Sequence, residues 1–417
     1  MNKQYAALLL SALLGLAAAQ SAPTKAPAPS PVPITPPEPP ASANVTRNEP
    51  TALEFTPDKL SRLKVPAGFQ LKVMATGLGN ARSLLVMPDG GIYLSRMKSS
   101  DVWYLKDING DGLIENVERK QVAQNMGTAH GMSVKDGKLY VAGNVNIWVM
   151  DMAQDGSLSV PRVFATDFPE AGQHGARGMH WGPDGYLYAA YGSPNNDAPT
   201  PSPEDATLLR ISPDGKSREI YASGLRHTIG FGWQPGTGTL YGWDQGSDWH
   251  GDNIPPEEMN VLQRGKNYGW PFCYGDKNPD PYVNASGIPG GITKTDYCAR
   301  TQGSVLNNTA HSAAIDMTFY TGSQFPSEYQ NNVFTAFRGS WNRSEPSGYY
   351  IGRVSFDANN KPAAITPFVS GFVYQDGDTW KQFGRVAGVA QYTDGSLLFT
   401  DDQSGVLYRV IYTGSAK

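Results

Sequence analysis

The stretch Gly178-MHWGPDGYLYAAYG-Ser193 decides the architecture of this chain. A short apolar run, a Pro-Asp-Gly turn and a second run of small, apolar and aromatic residues make a β-hairpin. The pattern recurs as Ser83-LLVMPDGGIYLS-Arg96, Gly131-MSVKDGKLYVAG-Asn144, Ile229-GFGWQPGTGTLYGWDQG-Ser247 and Gly388-VAQYTDGSLLFTDDQSGVLYRVI-Tyr412. A looser copy pairs Ile315-DMTFY with Asn332-VFTAF-Arg338 after a longer connection, and further strands such as Val102-WYL, Ile147-WVM and Leu208-LRI follow several copies. Six copies at irregular intervals predict an all-β chain folded as a six-bladed β-propeller, in which radial repetition leaves few open sheet edges. A sandwich or a parallel β-helix accommodates the long insertions between copies less well.

The remaining composition fits this reading. The 417 residues include 46 Gly, 32 Pro and 21 Tyr, a balance for short strands and tight turns rather than a helical bundle. A net charge of −4 offers no basic face, so nucleic acid is not an expected partner. Lys3, the apolar run from Ala6 to Leu16 and Ala17-Ala18-Ala19 read as a signal peptide over residues 1–19. The run is short for a membrane span, so no integral membrane domain is expected after cleavage, and the chain is expected in the periplasm or outside the cell. Ten prolines between Pro23 and Pro50 make residues 20–52 an extended linker, which places the folded domain at 53–417. Cys273 and Cys298, the only two cysteines of an exported chain, are expected to form a disulfide.

The chemistry lies ahead of the inner strands. Copy by copy the residues there are Arg82, His130, His174 with Arg177, Arg226 with His227, His311 and Arg385. Four of the six histidines occupy this one position. All inner strands of a propeller start at the same end of the channel, so these side chains should converge. Any one of them alone reads more readily as a strand cap or a core hydrogen bond; the set reads as a site. Arginine forks suit an anionic, planar or multi-carboxylate ligand, and a histidine among them can act as a base. No nucleophile elbow and no Gly-rich phosphate loop is present. The chemistry therefore needs a bound cofactor, a metal, or a His or carboxylate base.

Two loops carry oxygen ligands. Asp107, Asn109, Asp111 and Glu118 follow the spacing of a calcium loop, although strands rather than helices flank them, so a structural Ca²⁺ and a plain Asp/Gly-rich hairpin are both open. From Asp244 to Glu258 a second acidic stretch follows the fourth hairpin, where turn carbonyls and a carboxylate suit a hard cation.

Taken together, His174-GARGMHWGPDGYLYAAYGS, the run from Ser223 to Gly275, Phe319-YTGSQFP, Gly339-SWNRSEPSGY and Gly384-RVAGVAQYTDGSLLFTDD resemble the sorbosone dehydrogenases and related soluble sugar dehydrogenases that use pyrroloquinoline quinone (PQQ). The resemblance spans about Val65 to Tyr412. It implies a six-bladed propeller that oxidises a sugar or related alcohol or aldehyde with PQQ and Ca²⁺ and passes electrons to an external acceptor. By the same resemblance His174 is the general base and Arg226 lies by the quinone oxygen. The main-chain carbonyls of Gly246 and Ser247 hold the cofactor's Ca²⁺, and Arg385 and Arg338 pair with PQQ carboxylates. Two departures stand out: His227, where such sequences usually have Asn, and Phe337-Arg338, where relatives often have an acidic residue and His. A Ca²⁺-dependent lactonase-type hydrolase and a non-catalytic binding module remain the alternatives on this fold.

Overall fold

The computed structural model describes residues 47–414 apart from 171. The six sequence copies become six radial sheets of four antiparallel strands, with a fifth, parallel strand (Lys266–Asn267) added to the third. Their inner strands are Ala81–Val86, Met132–Lys135, Met179–Trp181, Thr228–Trp233, Ala314–Phe319 and Val386–Gln391. The chain is a six-bladed β-propeller, as its repeats predict.

The hairpins form for the reasons legible in their turns. In the second blade Asp136 and Gly137 both take positive φ, 50° and 71°, the conformation of a two-residue turn that matches strand twist. In the first, third and sixth blades an Asp carboxylate accepts from the amide two residues on: Asp89 from Gly91 at 3.1 Å, Asp184 from Tyr186 at 3.2 Å and Asp394 from Ser396 at 3.0 Å.

Close packing of neighbouring blades depends on glycine. A Cβ on Gly131 would lie 2.4 Å from the Arg177 carbonyl oxygen, one on Gly178 1.8 Å from that of Ile229, one on Gly230 2.8 Å from Asp316 Cα, and one on Gly388 3.0 Å from the Leu84 amide nitrogen. These positions lie on or beside four inner strands and draw the ring tight around its channel. Further out, aromatic side chains bridge the blades: Tyr140 meets Trp181 edge-on at 5.0 Å and Tyr188 meets Trp233 at 5.1 Å.

The sixth blade is assembled from both ends of the domain. Its three inner strands end at Tyr412, and its outermost strand is Phe69–Ala75, paired antiparallel with Val406–Tyr412. Folded contacts also begin ahead of the expected boundary at Leu53. Arg47 lies over the Trp341 ring, the Asn48 amide donates to the Trp341 carbonyl at 3.2 Å, and Thr51–Ala52 pairs in parallel with Lys381 and Gln382. The expected signal peptide and most of the Pro-rich segment lie outside the described residues.

Between the third and fourth strands of the fourth blade the chain makes a long excursion that includes the helix Lys294–Arg300. Cys273 and Cys298 are bridged there, with Cα atoms 5.6 Å apart. The disulfide sits in a small apolar cluster with Phe272, Val283 and Ile288, which gives this insertion its own core.

Candidate active site

At the end of the channel where the inner strands begin lies a cavity of about 320 Å³, lined by His174, Arg226, His227, Gly246 and His311 among others. Five of the residues singled out in the sequence thus share one space. Each is held by its own device.

His174 is buried, and its Nδ1 donates to the carbonyl of Ser193. That carbonyl can only accept, which fixes the tautomer and leaves Nε2 for a ligand. Burial, with the Arg226 guanidinium beside it, pulls its pKa down to about 4, so the ring is neutral and able to take a proton. The His227 ring lies 4.6 Å away, tilted by 42°. Room for both rings comes from Gly192, where a Cβ would stand 2.5 Å from His227 Nδ1 and 2.8 Å from His174 Cβ.

Arg226 and His227 are placed by one carboxylate. Asp244, at the end of the blade's second strand, accepts from the Arg226 amide at 2.9 Å, the His227 amide at 2.8 Å and the Thr228 hydroxyl at 2.8 Å. Burial pushes its pKa up to about 6. Asp401 repeats the device in the sixth blade, accepting from the Arg385 amide at 2.8 Å. The Arg226 guanidinium donates to the Asn196 carbonyl at 2.8 Å, to Asn196 Oδ1 at 2.9 Å and to Asp248 at 2.9 Å. Asp248 also accepts from Asn342 Nδ2 at 2.8 Å, which ties the fourth and fifth blades together across the mouth. His311 takes a positive φ of 64°, unusual for a side-chain-bearing residue, and donates from Nε2 to the Gly251 carbonyl at 2.7 Å.

The remaining predicted residues go elsewhere. Arg82 and Arg338 both pair with the buried Asp402, and Arg385 donates to the Gly339 carbonyl and stands 3.9 Å from Glu49. Three arginines about one buried aspartate form a second cationic cluster, outside the lining of the mouth cavity. Arg177 stacks on Tyr191 and donates to the Pro169 carbonyl at 3.1 Å, bracing the third blade rather than entering the site. His130 is buried at the entry to the channel. In the 107–118 loop the side chains turn onto their own backbone: Asp107 accepts from Gly110 and Gly112, and Glu118 from Ile108 and Glu115. No group of three or more His, Cys, Asp or Glu side chains arranged to hold a metal occurs among the described residues.

The mouth fits an anionic group with a hard cation. The carbonyls of Gly246 and Ser247 accept no hydrogen bond from any described residue, which leaves two consecutive oxygens for a cation; Gly246 lines the mouth, and buried Ser247 lines a small neighbouring void with Pro255 and Trp270. Buried His227 Nδ1 and Asn342 Oδ1 are also without partners. Sequence reasoning missed Asn196, and took in Asp248 and Asn342 only as members of longer runs, the acidic stretch from Asp244 and the Gly339-SWNR motif, without their roles at Arg226. All three come from loops whose path is set by tertiary contacts.

Comparison with known proteins agrees with the fold. A family model described as TrAA12-like matches residues 63–413, and the chain belongs to that family. It is 30% identical over 368 residues to an uncharacterised protein of Borreliella burgdorferi, covering 84% of this chain and 91% of that one. It is 25% identical to the aldose sugar dehydrogenase YliI of Escherichia coli, covering 89% and 93% of the two chains. The holo form of the pyranose dehydrogenase PQQ domain from Coprinopsis cinerea superposes with a TM-score of 0.69 at 19% identity, over 84% of this chain and 97% of that one.

Proposed function

We propose that this member of the TrAA12-like family oxidises a hydroxyl or aldehyde carbon of a sugar or related small molecule, using PQQ and Ca²⁺ bound at the mouth cavity. The observation that carries the reading is the meeting in one space of a neutral histidine with a free Nε2, a buried arginine and Gly246, whose carbonyl and that of adjoining Ser247 accept no hydrogen bond from any described residue. When bound, PQQ supplies the two-electron acceptor and Ca²⁺ the Lewis acid that polarises it.

The protein's own residues do the rest. His174 takes the proton of the substrate hydroxyl at Nε2 while Nδ1–H stays on Ser193. Arg226, held by Asn196 and Asp248, keeps a fixed positive charge where negative charge develops. Gly246 and Ser247 would present their carbonyls to Ca²⁺. An anionic group placed among Arg226, His227 and His174 raises the proton affinity of His174 from its low value towards the working range. Arg385 and Arg338 stand outside the lining of the mouth cavity and would act on cofactor carboxylates as a cationic field rather than as lining groups. The export signal read in residues 1–19 and the Cys273–Cys298 bridge support a site of action outside the cytoplasm, where an external acceptor collects the electrons. Among the described residues no helix is long and apolar enough to cross a membrane.

The test is reconstitution. Purified protein is mixed with PQQ and Ca²⁺, and the quinone absorbance and sugar-dependent dye reduction are followed. Binding with turnover supports the reading; no PQQ binding at micromolar concentrations overturns it. His174→Ala should keep the cofactor and lose roughly 10²–10⁴-fold in turnover. Unchanged turnover would remove His174 from the base role.

A further inference from the structure

Trp249 stands at the rim of the mouth, next in sequence to Asp248, which holds Arg226. Among the described residues it is the one Phe, Tyr or Trp side chain that is exposed, at 39%. Its backbone takes a positive φ of 68°, a conformation that a bulky side chain adopts only under strain. One residue thus combines a strained backbone with a large apolar ring left in water. A glycine at this position would relieve both.

The ring is held firmly in place. Its centroid lies 4.9 Å from that of Trp341, with the two planes at 79°, and Trp341 lines the mouth cavity. Arg47 sits over the Trp341 ring at 5.6 Å, and the Asn48 amide donates to the Trp341 carbonyl at 3.2 Å. The loops that carry the two tryptophans are tied together three more times. Asn342 Nδ2 donates to Asp248 at 2.8 Å, Arg343 Nε to the Asp252 carbonyl at 2.9 Å and the Ser344 amide to Asp252 Oδ1 at 2.9 Å. His311, itself a lining residue, reaches the same loop through the Gly251 carbonyl.

We propose that Trp249, backed by Trp341, is the platform on which a closed sugar ring stacks at the rim, and that it selects ring-form sugars over open-chain polyols. The inference rests on the dehydrogenation reading above and names the form in which the substrate is taken. A pyranose with equatorial hydroxyls presents faces made of C–H bonds, whose slight positive charge suits the negative face of an indole. An open-chain polyol has no such flat face and must freeze several rotations to imitate one. With a cofactor in the mouth cavity, the rim is the ground left to the substrate. Gln173, exposed and lining the same mouth, brings a side-chain amide suited to the hydroxyls at the ring's edge. Because the platform is already fixed by its neighbours, stacking on it orders little of the protein.

The experiment uses the full chain and the variants Trp249→Ala and Trp249→Phe, with and without PQQ and Ca²⁺. Binding of methyl β-D-glucopyranoside, a locked ring, and of D-glucitol, an open chain, is read by saturation-transfer NMR and by tryptophan fluorescence. Neither readout depends on turnover. The loaded parent should bind the locked ring about tenfold more tightly than glucitol, with its C–H protons receiving the saturation and the fluorescence changing. Trp249→Ala should bind PQQ like the parent and weaken the locked ring about tenfold; on a panel of aldohexoses it should raise KM by the same factor with kcat within about twofold. Trp249→Phe, which keeps a smaller ring, should weaken binding only about two- to threefold, and carries the test alone if Trp249→Ala does not fold. Unchanged ring binding and KM in a Trp249→Ala protein that binds PQQ overturns the platform and leaves the dehydrogenase reading intact. Glucitol bound as tightly as the locked ring does the same, as does a fall in kcat with KM unchanged. Absence of PQQ binding by the parent overturns the dehydrogenase reading instead. The platform then stands if the locked ring still binds the cofactor-free parent better than Trp249→Ala, and falls if it does not.

Discussion

His250 offers the sharpest test of how the mouth is held in shape. Its ring is 3% exposed and lies between two carboxylates, Asp280 on Nδ1 and Asp197 on Nε2, each at 3.0 Å, with Tyr282 stacked on it. Asp280 belongs to the disulfide-bearing excursion. Asp197 adjoins Asn196, the residue that holds Arg226. Burial disfavours the imidazolium, but the two carboxylates prevail and push its pKa up to about 9 from 6.5. A shift of that size corresponds to about 3 kcal/mol at roughly 1.4 kcal/mol per unit. Asp197 is 41% exposed, so solvent screening reduces this to about 2 kcal/mol. Folding favours the protonated ring. The contribution is therefore complete below pH 6.5 and is lost as pH rises through 9. Denaturant unfolding of the cofactor-free protein and of His250→Gln, at several pH values from 6 to 10, isolates the term as the difference between the two. That difference should shrink by about 2 kcal/mol across the range. A difference that is flat, or that grows with pH, would refute the clamp. A loosened clamp also frees Asn196, so PQQ affinity should fall in the variant below pH 7.

Three further outcomes follow from the packing. Gly192→Ala should drive the new Cβ into His227 and His174, costing about 1–3 kcal/mol in unfolding free energy and shifting the ring signals of both histidines; unchanged signals would show that Gly192 leaves the pair room to spare. Burial pushes Glu258 up to about 8, so its contribution is full below 4.5 and lost as pH rises to 8; Glu258→Gln should flatten the fall of melting temperature over that interval, and an unaltered slope would remove Glu258 as its source. Cys273→Ser opens a loop closed across a separation of 25 residues, worth about 3 kcal/mol by loop entropy, and the loss should be matched by reducing the parent protein.

What could be read from the chain was what local chemistry dictates. The Asp-Gly turns after Val86, Val134 and Trp181 specify hairpins without help from the rest of the fold, and their recurrence gives the blade number. Placement ahead of an inner strand was enough to bring His174, Arg226, His227 and His311 into one cavity. The same rule placed Arg385 and Arg82 at the right end of the ring but not in the cavity, because Asp402 captures Arg82 while Arg385 is spent on the Gly339 carbonyl. Nothing local marks Asp402 as their counterion, or Asp244 as the acceptor of three donors. A strand-terminal aspartate looks the same whether it faces solvent or a neighbouring loop. Nor does Phe69–Ala75 announce its partner, since its pairing residues lie at the far end of the chain.

That last pairing bears on how the protein is made. A chain that emerges N-terminus first releases Phe69–Ala75 early, yet its partner strand ends at Tyr412 and appears last. Until then the ring is an open arc with an unpaired strand at each end, the kind of edge that recruits other chains. Blades three to five can fold locally, but the cation-bearing rim between the sixth and first blades, Arg82 with Asp402 and Arg385, comes together only when the arc shuts. Loss of the strand Val406–Tyr412 would thus leave most of the hairpins in an open arc, with Phe69–Ala75 unpaired.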